Sequence, residues 1–362
     1  MTMAADTPPP GGKRWPVAIL GATGAVGQTF IRLLANHPWF EVAEVAASER
    51  SEGKRYSDAA RWLEGSMPAS VASLTVKSVD VASVSSPIAF SALDSSVAGD
   101  VERAFASAGK FVLSNAKNFR MDDDVPLVIP EVNANHLDLL DRQRRERGWS
   151  GAIVTNANCA ATVAAVALAP LQERFGIDQL FMMTMQAVSG AGYPGVPSLD
   201  ILGNVIPYIA DEEPKLEREM LKLLGTCRNE AIELANMKVS SHTNRVAVEH
   251  GHTVCITASF HERASAEEAR EVLRSWKGEA ATWNLPSRPA FPLAVTDELN
   301  RPQPRRDVNE GGGMTVTVGR IRRDPVLDIR MVAMGHNTIR GAAGGSVLNA
   351  ELLAATGRLG TA

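Results

Sequence analysis

The tightest constraint in the sequence is Gly21-Ala22-Thr23-Gly24-Ala25-Val26-Gly27, which follows the apolar run Pro16-Val17-Ala18-Ile19-Leu20 without a break. A short apolar run closed by a glycine reads as a strand buried on both faces. Gln28 to Asn36 continues the chain as a helix. Glycines between a strand and a helix let backbone approach a diphosphate, with the helix N-terminus aimed at it. The spacing is GxxGxxG rather than GxGxxG, so three glycines serving tight packing alone are the competing explanation.

Further strands are expected at Val42 to Ala47, Ile88 to Ala92 and Phe111 to Leu113, with a helix at Asp100 to Ala108. This alternation predicts an α/β chain opening with a Rossmann-type doubly wound parallel sheet. After Cys159 the texture changes. Gln179 to Val188 reads as a long strand and Asp211 to Leu224 as a charged helix. Asn244 to Val248 and His252 to Phe260 alternate like antiparallel strands, Ala264 to Gly278 is amphipathic, and Met314 to Arg322 and Val326 to Ala333 are strands again. Strands grouped around a few helices predict an α+β catalytic and dimerisation domain. The expected division is a disordered Pro/Gly-rich tail at 1–14, a dinucleotide-binding domain at 15–155, a catalytic domain at 156–335, and a segment at 336–362 whose helix returns to the first domain.

Asn156-Ala157-Asn158-Cys159 precedes the apolar run Ala160 to Leu171, which reads as a helix. A cysteine on the first turn faces unpaired backbone N–H groups and the positive end of the helix dipole, both of which favour the nucleophilic thiolate. Taken alone, a buried structural cysteine is the simpler explanation. Cys159, Cys227 and Cys255 are too scattered for a disulfide framework or a zinc site, which points to a reducing cytoplasm. The net charge of −4 offers no basic field for nucleic acid. The longest apolar run is too short to span a membrane.

Cofactor choice turns on Ala47-Ser48-Glu49-Arg50-Ser51, after the second strand. Two hydroxyls and a guanidinium suit a 2′-phosphate, so NADP is favoured over NAD, with Glu49 as the competing observation. A nicotinamide beside an activated cysteine suits chemistry at an aldehyde or thioester carbon, which needs a base. His37 and His136 read as structural. His250 and His252 flank Gly251 at even spacing, and spacing alone leaves both open.

Five motifs in order now carry a resemblance. Gly21 to Gly27, Asn156 to Cys159, Gln186-Ala187-Val188-Ser189-Gly190-Ala191-Gly192, Arg245 through His252-Thr253, and Asn337-Thr338-Ile339-Arg340-Gly341-Ala342-Ala343 together resemble aspartate-semialdehyde dehydrogenase. The likeness is closer to the archaeal and fungal branch, and runs from about Trp15 to Leu353. It implies Cys159 as the nucleophile and His252, seven residues after Arg245, as the general acid/base. Gln186 would orient the substrate and Arg245 would grip its α-carboxylate in a fork. Glu212 would meet its amino group, and Asn115, Arg120 and Lys215 would hold phosphate. NADP would lie along Gly21, Thr23, Gly24, Ala25, Val26, Ser48, Arg50, Ser51, Ser91 and Ala92, with Ser189, Gly190 and Asn337 near the nicotinamide.

The resemblance implies NADPH-dependent reduction of L-aspartyl-4-phosphate to L-aspartate 4-semialdehyde by a homodimer or homotetramer, without metal, nucleic acid or membrane. The alternatives are a CoA-thioester reductase of the same fold, such as one for malonyl-CoA, and a non-catalytic NADP-binding protein. The chain departs from the branch at Asp94, Ala157, Ala160-Ala161, Pro214 and Glu249-His250.

Overall fold

The computed structural model describes residues 8–359. The expected tail at 1–14 therefore lies partly outside the described residues, and residues 9–12 form a turn closed by a Gly12 N–H to Pro9 carbonyl bond of 2.9 Å.

The first sheet contains β1 (Trp15–Leu20), β2 (Phe40–Ala46), β3 (Ile88–Ser91), β4 (Phe111–Ser114), β5 (Leu127–Val128) and β6 (Ala152–Asn156), ordered β2-β1-β3-β4-β6-β5. Every pairing is parallel. Both faces are covered, as the unbroken apolar run of β1 requires. Val17 and Ile19 join one core cluster with Phe30 and Ile31 of α1 (Ala25–Leu34), while Ala18 and Leu20 join another with Phe105 of α2 (Ser95–Ser107). Asp94, one of the departures, caps α2 by accepting the Ser96 N–H at 2.9 Å.

From β6 the chain enters α3 (Cys159–Phe175), whose residues Ala160 to Leu171 are all buried. They share a core with α4 (Glu212–Leu223), α5 (Ala266–Ser275) and the second sheet. That sheet is formed by β7 (Ile177–Gln186), β8 (Val205–Ile206), β11 (Lys238–Val246), β12 (His252–Phe260), β13 (Leu293–Val295), β14 (Val316–Arg323) and β15 (Ile329–Gly335); β9 (Thr226–Arg228) and β10 (Ala231–Glu233) form a separate hairpin. The order is β13-β14-β15-β12-β7-β11-β8.

The expectation of an antiparallel sheet for Asn244 to Val248 and His252 to Phe260 is corrected to a mixed one. β11 and β12 are separated by β7, which pairs parallel with β11 and antiparallel with β12. This register sets Arg245 beside Gln186 and Thr253 beside Met185, so His252, Gln186 and Arg245 share one end of three adjacent strands. The chain's last long helix, α6 (Gly344–Ala355), packs Val347, Leu348 and Leu352 into the cluster of Val17 and Ile19 on the first sheet.

Candidate active site

Cys159 stands where the C-terminal end of parallel β6 meets the N-terminus of α3, the position at which open α/β sheets bind ligands. Asn158 is the helix cap. Its Oδ1 accepts the Ala160 and Ala161 N–H groups at 2.9 and 3.1 Å. The half-buried Cys159 places Sγ 3.1 Å from His252 Nε2.

The helix start does not leave this thiol as acidic as its position suggests. Burial pushes its pKa up to about 12, with the Glu212 charge adding to the rise, against the opposing pull of Arg120, Arg245 and the Ala160 N–H. Burial also draws His252 down to about 3, helped by Arg245, His336 and His250. Both groups are held neutral.

Ala187, directly after β7, grips both neighbours of the thiol. Its N–H donates to His252 Nδ1 at 3.1 Å, and its carbonyl accepts from Arg245 Nη1 at 2.9 Å. Two glycines are fixed by close approach. A Cβ on Gly190 would lie 2.9 Å from Arg245 Nη1 and 3.1 Å from His252 Cε1, and one on Gly341 would lie 2.6 Å from Cys159 Cβ. His250 faces elsewhere: its Nδ1 is 3.0 Å from Ser189 Oγ, and its ring stacks on His336. Even spacing does not align the two histidines because Gly251 between them turns the backbone at φ 102°.

A charged face of α4 closes the site. Glu212 Oε1 accepts from Asn158 Nδ2 at 2.8 Å and Gln186 Nε2 at 3.0 Å, and Lys215 Nζ lies 3.8 Å from its Oε2. Pro214 sits within the first turn of this helix, where no intrahelical N–H is lost. Two residues of the same face were not anticipated. Glu219 accepts Arg120 Nη1 at 2.9 Å and the Asn158 N–H at 2.6 Å. Lys222 donates to the carbonyls of Arg120, Asp122 and Val125, each at 2.8 Å, and burial draws its pKa down to about 8. The spacing of 212, 215, 219 and 222 is that of one helix face, a signal the sequence carried. Arg120 is thus clamped, with Nη2 donating to the Asn115 carbonyl at 2.8 Å. Asn115 Oδ1 in turn accepts from Asn156 Nδ2 and Ser346 Oγ.

On the first sheet, Gly21 has φ 76°, and a Cβ there would lie 2.6 Å from the Ala92 carbonyl oxygen. A Cβ on Gly27 would lie 2.3 Å from the Gly21 oxygen. The glycines therefore serve packing as well as access: the loop is pressed onto β3, which ends at Ser91, while Gly24 at the cap of α1 is exposed. Ser48 and Ser51 close a turn beyond β2 that leaves Arg50 exposed. A cleft of about 470 Å³ runs from Ala25 and Thr29 to Ser189, His250 and Thr338. Asn337, next to Thr338, donates to Ser189 Oγ at 2.8 Å and accepts the Gly251 N–H at 2.9 Å.

A family model described as semialdehyde dehydrogenase, NAD binding domain, matches residues 16–140, and one described as semialdehyde dehydrogenase, dimerisation domain, matches residues 168–340. The aspartate-semialdehyde dehydrogenase of Archaeoglobus fulgidus is 48% identical over 341 residues, which cover 94% of this chain and 98% of that protein. This chain belongs to the aspartate-semialdehyde dehydrogenase family. The aspartate-semialdehyde dehydrogenase of Trichophyton rubrum is also 48% identical, covering 92% of this chain and 95% of that protein. Archaeal and fungal relatives thus bear out the branch to which the five motifs pointed. The crystal structure of Candida albicans aspartate-semialdehyde dehydrogenase with NADP matches with a TM-score of 0.86 at 42% identity, covering 95% of this chain and 99% of that one. Aspartate-semialdehyde dehydrogenase II of Vibrio cholerae matches with a TM-score of 0.73 at 28% identity, covering 94% and 98%. Within the family frame, the glycine loop lies in the NAD-binding match, and the strands bearing Gln186, Arg245 and His252 lie in the dimerisation match.

Proposed function

We propose that this protein reduces L-aspartyl-4-phosphate to L-aspartate 4-semialdehyde with release of phosphate, through an acyl-thioester on Cys159, on the route to lysine, methionine and threonine. The observation that carries the reading is the contact between Cys159 Sγ and His252 Nε2 at 3.1 Å, with the Arg245 guanidinium hydrogen-bonded to the same residue that binds His252. A thiol, an imidazole and a carboxylate-binding fork within one half-buried pocket suit acyl transfer on a small amino acid.

NADPH supplies a hydride when bound. The residues fit it: Gly21 and Gly27 leave no room for Cβ atoms, which holds the Gly21–Ala22 backbone between Ala92 and the first turn of α1. Ser48, Arg50 and Ser51 would take the 2′-phosphate, with Ser91 and Ala92 beside the loop and Ser189, Gly190 and Asn337 beside the nicotinamide. Arg245 would bind the α-carboxylate, Glu212 the ammonium, and Asn115, Arg120 and Lys215 the phosphate, while Gln186 orients Glu212 and the substrate. His252 would serve as the general acid/base, toward the sulfur and the carbonyl oxygen. Residues 15–155 would form the cofactor half, 156–335 the catalytic half, and 336–362 the returning segment.

We further propose a homodimer or homotetramer working in the cytoplasm. Exposed Leu199, Leu202, Val205 and Tyr208 offer apolar surface for a second copy, and no helix among the described residues is long and apolar enough to cross a membrane. The test is phosphate-dependent reduction of NADP by aspartate semialdehyde, run beside NAD and beside malonyl-CoA reduction. Semialdehyde turnover that vanishes in Cys159→Ala supports the reading. Malonyl-CoA turnover without semialdehyde turnover, or an active Cys159→Ala variant, overturns it.

A further inference from the structure

Thr338 lines the cleft assigned to the cofactor, and Ile339, the next residue, lines a second cavity of about 540 Å³. Its walls are Arg32 in the last turn of α1, the segment from Pro286 to Ala290, and Asn309, Gly311 and Gly312 before β14. The lining brings two arginines, a serine and an asparagine together, with no carboxylate among its described residues.

These groups are short of partners. Arg288 makes no ion pair among the described residues, and its Nε is buried without a hydrogen-bond partner. Arg32 reaches Glu64 through Nε at 2.6 Å, and its two terminal nitrogens make no hydrogen bond among the described residues. Ser287 is only 4% exposed, yet its hydroxyl has no partner among the described residues either. Buried polar groups are ordinarily paired, and a cation is the costliest to leave alone. The fold does not need the Arg288 guanidinium to hold its own segment. Both oxygens of Glu351 accept the Ser287 N–H at 3.0 Å, and Glu351 is itself paired with His37 at 2.8 Å. The Arg288 N–H closes a turn onto the Leu285 carbonyl at 3.1 Å, and Pro286 and Pro289 on either side each have a fixed φ.

We infer that this cavity binds a small organic oxyanion, a phosphate ester or a carboxylate, whose charged end meets Arg288 and Arg32 and whose body lies on Pro286, Pro289 and Ile339. The guanidinium fork matches both kinds of oxyanion. A bare inorganic ion would use little of the volume, whereas cavities of several hundred Å³ suit metabolite-sized ligands with an apolar body. The buried Pro286, Pro289 and Ile339 supply that apolar surface.

The site also touches the cofactor cleft. Glu64 lines that cleft, accepts Thr29 Oγ1 at 2.5 Å, and is the partner of Arg32. An anion that draws the Arg32 guanidinium toward itself weakens the hold on Glu64. It leaves the carboxylate charge in the cleft wall, where it repels the anionic cofactor. Anion and NADPH therefore oppose one another, each weakening the other by the same factor. The anion site does not rest on the proposed reaction; its link to the cofactor rests on the cleft being the cofactor's.

Isothermal titration calorimetry at fixed ionic strength, with phenyl phosphate, benzoate and sulfate as probes, tests the site. Phenyl phosphate or benzoate should bind at least about 10-fold tighter than sulfate. Arg288→Gln should weaken that binding by about 10-fold or more, the loss of one charge-assisted contact, and Arg288→Lys, with the charge but no fork, should fall between. The tighter of the two organic probes tells a phosphate ester from a carboxylate. Any binding at the proposed phosphate subsite around Arg120 is common to wild type and variants and cancels in the comparison. Without ligand, the unfolding midpoint of Arg288→Gln should equal or exceed that of the wild type, because an unpaired cation is removed; a purely structural arginine would lower it. Saturating probe should raise the NADPH Kd about 5-fold in the wild type, while Glu64→Gln should bind the probe without that rise. Organic probes no tighter than sulfate, the mark of an adventitious ion only, or binding unchanged in both Arg288→Gln and Arg32→Gln, overturns the site. Tight binding with an unmoved NADPH Kd overturns the link to the cofactor.

Discussion

Glu219→Ala is the substitution whose cost can be worked most directly from the structure. Glu219 touches no proposed substrate group, yet it holds Arg120, which does, and the cap residue before Cys159. One oxygen accepts Arg120 Nη1 at 2.9 Å and the other accepts the Asn158 N–H at 2.6 Å. The Arg120 and Glu219 side chains are 10% and 2% exposed. Removing one partner of such a pair leaves an uncompensated buried charge, which costs about 3–5 kcal/mol. The orphaned Asn158 N–H adds about 1–3 kcal/mol. These losses share one network, so the total should fall short of their sum. We expect destabilisation of about 3–6 kcal/mol, read as a shift of the urea unfolding midpoint at fixed protein concentration. Glu219→Gln keeps an acceptor for the Asn158 N–H and loses only the charge, so it should fall between wild type and Ala. In steady state, the released Arg120 should raise the KM for phosphate more than that for semialdehyde. A Glu219→Ala protein within about 1 kcal/mol of wild type, with an unchanged phosphate KM, would refute the assignment.

Three further outcomes follow from particular contacts. In Gly341→Ala the new methyl meets Cys159 Cβ at 2.6 Å and Cα at 2.8 Å, so the thiol must shift; we expect kcat to fall by about 10²-fold, with the NADPH Kd by fluorescence unchanged. Arg50→Ala removes an exposed guanidinium that donates no side-chain hydrogen bond within the described chain, so its thermal unfolding should not move, while the KM for NADPH should rise by about 10-fold or more and that for NADH should not. Burial raises the Glu102 carboxyl from 4.5 to about 7. Between those values the native chain binds more protons than the unfolded one, so stability is fully present below the unfolded value and lost as pH rises through about 7; Glu102→Gln should flatten that slope in urea titrations across the window.

What the sequence disclosed was mostly local. The strand Trp15–Leu20, the turn after it and the helix start at Cys159 are each written in fewer than a dozen neighbouring residues, and the structure has them where the periodicity and caps indicate. The site's assembly was less legible because it depends on register. Nothing in the stretch around Arg245 says that its strand runs parallel to Ile177–Gln186 rather than beside the strand of His252; the parallel pairing of β11 with β7 is a long-range choice. The choice between His250 and His252 was open for a related reason. Strand parity assumes extended backbone between them, and Gly251 breaks it. Glu219 and Lys222 were overlooked although helical spacing links them to Glu212 and Lys215. A charged helix face usually meets solvent, and only packing against Arg120 and the Asn158 cap makes this one internal. The helix-start argument for a thiolate failed on magnitude: the dipole acts on Cys159, but burial acts more strongly and in the opposite direction.

These contacts divide the site into a part fixed by packing and a part open to its ligands. Cys159 begins a helix buried in the core it shares with β7 and β12, so Sγ and His252 belong to one packed body. The glycine loop and Arg50 belong instead to the first sheet. The C-terminal segment joins the two. Arg340 is paired through both terminal nitrogens with Glu131 at 2.8 and 2.7 Å, and Glu351 with His37 at 2.8 Å, all four side chains buried, while Gly341 presses on Cys159. Any closing of the cofactor-bearing sheet must therefore carry Gly341 against the thiol or break a buried ion pair. The second course costs about 3–5 kcal/mol, more than a marginal ligand-driven rearrangement supplies. Adjustment is cheaper at exposed backbone, in the turn at Ser48 to Ser51 and the exposed stretch from Ala191 to Pro194. On this account the thiol–imidazole contact is made by folding, and ligand binding acts at the rim of a pair already in place.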